Sequence, residues 1–123
     1  MEAILEEILQ QEFTADPGVQ SASIVSKTGL LIAGKAASVS KPETFSAMAA
    51  IMYSSAEATR TDVLKDKLEY IVGTFHSSKM IISEVSSSLL IVVTAERTAD
   101  NEKILENMNK VVTRTKQELV WLR

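Results

Sequence analysis

Eight consecutive residues, Gly29, Leu30, Leu31, Ile32, Ala33, Gly34, Lys35 and Ala36, come within one position of a phosphate-binding loop. In that loop, G-x-x-x-x-G-K followed by Ser or Thr, backbone N–H groups and the lysine cradle phosphates and the hydroxyl holds magnesium. The chemistry also needs a helix opening at the second glycine, so that free N–H groups point at the anion. Ala36 has no hydroxyl, and the next helix start signal waits until Ser40. Leu30 to Ile32 are strand formers better used in a core. The stretch reads as a hairpin, and nucleotide binding is not expected of it.

His76 is the sole histidine and stands beside Ser77 and Ser78. A Ser, His and acid arrangement needs an oriented carboxylate and an oxyanion site, and there is no nucleophile elbow to supply them. His76 reads as a turn residue. Asp62, Asp66 and Glu69 are acidic neighbours without the glycine that bends a calcium loop. No His, Cys and acid cluster has ligand spacing, so neither a metal nor another cofactor is expected, and no catalytic residue. The last helix carries Lys103, Lys110 and Arg114 on nearly the same side as Trp121, a basic strip with an aromatic end. Arg and Trp are favoured at interface hot spots, so this strip is a second candidate partner surface, diluted by Glu106 and Glu118.

The elements around these residues point to binding. A chain of 123 residues has room for one domain spanning 1–123 and one core. A net charge of −3 and pI near 5.2 argue against nucleic acid or anionic lipid as partner, since either needs a concentrated positive field. The absence of cysteine fits a reducing compartment. Met1 to Phe13 holds Glu2, Glu6, Glu7 and Glu12, unlike a secretory signal, and no run is long enough to span a bilayer. The expectation is a cytoplasmic protein.

Ile4, Leu5, Ile8, Leu9 and Phe13 recur at helical spacing, and Asp16, Pro17 and Gly18 stop that helix. Val19 to Val25 alternates as a strand, Lys27 to Gly29 turns with Gly29 at positive φ, and Leu30 to Ala33 returns. A helix from Ser40 to Leu64 follows, capped by Ser40 with Glu43 and with Pro42 in its first turn. Leu68 to Phe75, Lys79 to Val85 and Leu89 to Ala95 form a meander whose last strand, almost wholly apolar, reads as the most buried. Thr98 or Asp100 caps a closing helix striped by Ile104, Leu105, Met108, Val111, Val112, Thr115, Leu119 and Leu122. The expected fold is α+β, in the order α-β-β-α-β-β-β-α: three helices on a five-stranded antiparallel sheet.

The second helix is the anomaly. Phe45, Met48, Ala49, Met52, Ala56, Thr59 and Val63 make a core-facing stripe. The opposite side, Ala47, Ala50, Ile51, Ser54 and Ala58, has no charge either. A helix without a polar side is covered on both. Leu68 to Phe75 is also expected at a sheet edge, with no proline and only Glu69 to protect it. Pairing with a second copy cures both defects. The predicted interface is therefore Ala47, Ala50, Ile51, Ser54 and Ala58 on the helix and Tyr70, Val72 and Thr74 on the strand.

With this order in hand, the chain resembles the Roadblock/dynein light-chain family. The likeness is carried by Pro17, Gly18 and Val19, by the Thr28, Gly29, Leu30 hairpin before Leu31, Ile32 and Ala33, and by Ala47, Ala49 and Ala50 of the central helix. It runs nearly the whole length and rests on the order and spacing of motifs that are each weak alone. The resemblance implies a profilin-like, Roadblock-type sandwich dimerising through its second helix and third strand. It implies a homodimeric adaptor or regulator of a Ras-like small GTPase, with no catalytic motif to carry over. Assembly as a dynein-type structural subunit without GTPase contact is the alternative, and a nucleotide-binding enzyme stands last.

Overall fold

Leu5, Ile8, Leu9 and Phe13 gather on one side of the first helix, α1 (Glu2–Phe13), and all four are buried. The computed structural model describes residues 2–35 and 41–119. Among them, strands β1 (Val19–Ser26) and β2 (Leu31–Lys35) form the opening hairpin, and Gly29 turns it at φ 98°. Helix α2 (Pro42–Thr59) runs directly into a one-turn π-helix at Arg60–Leu64, which ends at Lys65 with φ 54°. Strands β3 (Ile71–Thr74), β4 (Ser78–Glu84) and β5 (Leu89–Glu96) follow, then α3 (Asn101–Glu118). The order is the expected one. Among the described residues no helix is long and apolar enough to cross a membrane.

Every strand pairing is antiparallel, in the order β2-β1-β5-β4-β3. β5 lies at the centre, and Leu90, Ile91, Val92 and Val93 are wholly buried because both neighbours and both faces are occupied. β3 is an edge. It is shorter than expected, since Leu68 to Tyr70 lie outside the ladder.

Alternation sorts the sheet residues into two cores. Ile24, Ile81, Ile91 and Val93 face α1 and α3, meeting Leu5, Ile8, Ile104, Met108 and Val111. Val25, Met80, Ile82, Leu90 and Val92 face the other way, beneath Ala49 and Tyr53 of α2. Two helices cover one face and a single helix the other. Asp100, not Thr98, caps α3, its Oδ1 accepting from the Glu102 N–H at 3.0 Å. Ser40 lies outside the described residues. Lys41 occupies the α2 N-cap position with no side-chain hydrogen bond, and Pro42 opens the helix.

Candidate protein-interaction surface

The side of α2 that meets the sheet is set by small residues. Ser46, Ala49 and Ala50 are buried, and they let the helix lie close over the large β5 side chains. Tyr53 completes the row. Its ring is buried, and its hydroxyl donates to Glu84 Oε2 at 2.7 Å, the oxygen that also accepts from Lys27 Nζ at 3.0 Å. Burial first, then the Glu84 carboxylate, pushes the Tyr53 hydroxyl far above its ordinary range. Burial alone would raise Glu84, but hydrogen bonds from Tyr53 and Lys27 hold it below the usual carboxylate range. Lys27, Tyr53 and Glu84 thus tie the hairpin, α2 and the end of β4 together. They fix how far α2 is rolled about its axis.

This roll corrects the expected stripe by roughly a quarter turn at about 100° per residue. Met48 and Val63, expected in the core, are 52% and 72% exposed. Ala50, expected at an interface, belongs to the chain's own core at 7% exposure, and Ala47 is half-buried above Gly29. Ile51, Ser54 and Ala58 do face solvent. Sequence reasoning missed Tyr53 because it weighted large apolar side chains, and here those stand on the helix flank while small ones face the sheet.

Beside that flank lies the bare edge. Among the described residues β3 pairs with β4 alone, its own residues half-buried or exposed in alternation. Val72 stands opposite Ile81 on the α1 and α3 face, whereas Ile71 packs into the α2-side core. The predicted interface is therefore split across the sheet. Tyr70, Val72 and Thr74 are exposed, but Val72 faces away from α2, and the β3 edge is what the two halves share. On the α2 side a groove of roughly 690 Å³ runs between Phe45, Met48 and Met52 of α2 and Phe75 and Met80 of the sheet. Phe75 is 54% exposed.

The remaining candidates are accounted for locally. Gly29 makes a hairpin turn and Leu31–Lys35 a strand. The Gly34 N–H donates to Glu6 Oε1 at 2.7 Å, so a carboxylate stands where a phosphate would have to sit. His76 is exposed, and its carbonyl accepts from Arg97 at 3.4 Å. Arg60 is held by Glu57 at 2.5 Å and reaches the Asp66 carbonyl. That bond to Arg60 holds Glu57 below the usual carboxylate range. Among the described residues no three acids or histidines are placed to hold a metal ion. On α3, Lys103 is exposed, Lys110 lies 3.6 Å from Glu106, and Arg114 binds Glu12 of α1 at 3.1 Å. The strip is thus partly consumed within the chain, and Trp121 lies outside the described residues.

The family model described as the Roadblock/LC7 domain matches residues 5–95. Among solved structures, a Roadblock/LC7 domain from Streptomyces avermitilis is 20% identical. The match covers 94% of this chain and 97% of that one at a TM-score of 0.82. MglB of Myxococcus xanthus is 11% identical, with 98% and 91% covered and a TM-score of 0.85. Profilin II of Acanthamoeba castellanii is 13% identical, with 93% and 98% covered and a TM-score of 0.65, which places the fold among profilin-like sandwiches. No curated protein sequence matches the chain.

Proposed function

The chain belongs to the Roadblock/LC7 domain family, and on that premise we propose that it is a homodimeric adaptor or regulator of a Ras-like small GTPase, with no catalytic step of its own. The observation that carries the reading is the β3 edge, left bare beside an apolar helix flank. An unpaired strand edge is a template for another chain, and natural proteins blunt the edges that must stay single. A two-fold axis through paired β3 strands would complete the ladder and bring two α2 helices together over one continuous sheet. The outward row of Ile51, Ser54 and Ala58, doubled by symmetry, then offers a small-residue platform for a globular partner. The charge balance supports a protein partner over nucleic acid.

Analytical ultracentrifugation at micromolar concentration tests the first half, and a dimer is expected. For the second half, a Ras-like small GTPase of the same organism is loaded with GDP or with a non-hydrolysable GTP analogue and titrated with the protein. Binding that differs between the two nucleotide states is expected. A monomer overturns the dimer reading, and a dimer that binds the GTPase in neither state overturns the regulator reading.

A further inference from the structure

The chain has no cysteine, so its five methionines are its only oxidisable sulfur. Three of them, Met48, Met52 and Met80, line the groove between α2 and the sheet. Their exposure is graded. Met48 is 52% exposed and Met52 half-buried, whereas Met80 is 6% exposed and Met108, in the other core, 1%. Met52 is also screened by an aromatic ring: its Cε and the Phe75 ring stand 3.8 and 3.6 Å from the point that a Cβ on Gly73 would occupy. Among the described residues, the Met48 thioether is the sulfur most open to a dissolved oxidant.

Met48 shares its stretch of surface with Phe45 and Phe75, an apolar setting in which leucine would pack as well and resist oxidation. Oxidation turns the thioether from a flexible apolar group into a polar, chiral sulfoxide. An oxygen of that kind, carried into an apolar contact without a donor, is costly.

We propose that Met48 is an oxidative modification site, converted by hydrogen peroxide to the sulfoxide, and that the sulfoxide uncouples the β3-paired dimer of the preceding section, on which this inference rests. Met48 Sδ takes one oxygen atom from peroxide. The S–O bond forms as the O–O bond breaks, sulfur gives up two electrons, and the second oxygen leaves with both protons as water. In the dimer the flank beside β3 is covered, so peroxide meets Met48 in the free subunit. Oxidation and association then compete for one surface, and each modified subunit is withdrawn from pairing until a methionine sulfoxide reductase restores it.

The test exposes the full chain to dilute hydrogen peroxide, locates the added oxygen by peptide mass spectrometry and follows association by sedimentation. Met48 is expected to gain oxygen before Met80 and Met108, and more slowly at protein concentrations where the dimer dominates. Protein oxidised at Met48 is expected to associate at least about tenfold more weakly, with unchanged circular dichroism, and to recover on treatment with the reductase. Met48→Leu, of nearly the same volume, should keep the dimer and lose the peroxide response, and Met48→Gln should imitate that response without peroxide. A dimer that keeps its affinity once Met48 is oxidised overturns this inference and leaves the dimer standing. So does a Met48→Leu variant that dissociates under peroxide as far as wild type. A chain that is monomeric before any treatment overturns both readings.

Discussion

The two edges of the sheet are treated in opposite ways. At β2 the ladder with β1 shifts register between Ile24 and Val25, Gly34 turns the strand at φ 89°, and Glu6 of α1 takes the Gly34 N–H. A bulge, a kink and a side-chain acceptor each make an edge a poor template. At β3 the register with β4 is unbroken from Ile71 to Thr74, and among the described residues no such device is present. A chain that guards one edge with three features has the means to guard both. The contrast supports the proposed reading, in which β2 stays at solvent and β3 meets a partner.

The largest effect is expected from breaking the guarded side. A Cβ on Gly34 would stand 2.3 Å from the Ala22 carbonyl oxygen and 2.8 Å from Ser23 Cα, at a φ that other residues rarely adopt. Backbone cannot yield as a side chain does, so Gly34→Ala is expected to cost about 3 kcal/mol or more, read as a fall in the urea midpoint. An unchanged midpoint would show that the kink is not required.

On the bare side, charge placement locates the seam. Met48→Glu and Ile51→Glu both alter exposed positions, 52% and 56%, so neither should unfold the subunit. If the flank beside β3 is the contact, Met48→Glu buries two like charges and costs several kcal/mol of association. Ile51→Glu, on the outward row, then costs less and chiefly weakens binding of the proposed GTPase. Light scattering of the two variants orders them, and an Ile51→Glu monomer beside a Met48→Glu dimer would move the seam to the top of the helix.

The contrast between edges was only half legible in the residues. The unprotected β3 edge could be read from Leu68 to Phe75, because it depends on which residue types are missing. The hairpin turn at Gly29 and the central burial of β5 follow likewise from local pattern. The guard on β2 could not be read, since the contact between Glu6 and Gly34 joins residues far apart in the chain and exists only once α1 lies on the hairpin. The roll of α2 failed for a related reason. Periodicity shows that an apolar helix has a buried side, but the choice between the Met48 row and the Tyr53 row rests on Glu84 and Lys27, which come from other strands.

Tyr53→Phe tests that roll with a smaller effect. The variant keeps the buried ring and loses one hydrogen bond to Glu84, which still has Lys27, so a loss of about 1 kcal/mol is expected at neutral pH. The pH dependence separates it from a packing defect. Glu84 is held below 4.5 in the folded chain, so the stability it contributes is present above that value and fades as pH falls through its folded pKa; the gap between wild type and variant should close in acid. The Tyr53 hydroxyl is pushed up from 10.0, so the folded chain keeps its proton where the unfolded chain gives it up. Wild type should lose stability as pH climbs past 10.0, and the phenylalanine variant should lack that component. Parallel slopes for the two proteins across acid, neutral and alkaline denaturation would mean that the hydroxyl contributes nothing.

The smallest change bears most directly on the guard. Glu6→Ala removes the acceptor from the Gly34 N–H, a charge-assisted bond at an exposed site, and should cost about 1 kcal/mol of stability. Its larger consequence is topological. In the proposed β3-paired dimer, a second free edge turns a closed pair into an open chain, because each dimer then carries a bare strand at both ends. Sedimentation velocity of Glu6→Ala should therefore show species larger than the wild-type dimer that grow with concentration, while Glu6→Gln, which retains an acceptor, should not. If the alanine variant stays at the wild-type size, the bulge and the Gly34 kink protect β2 without help from α1.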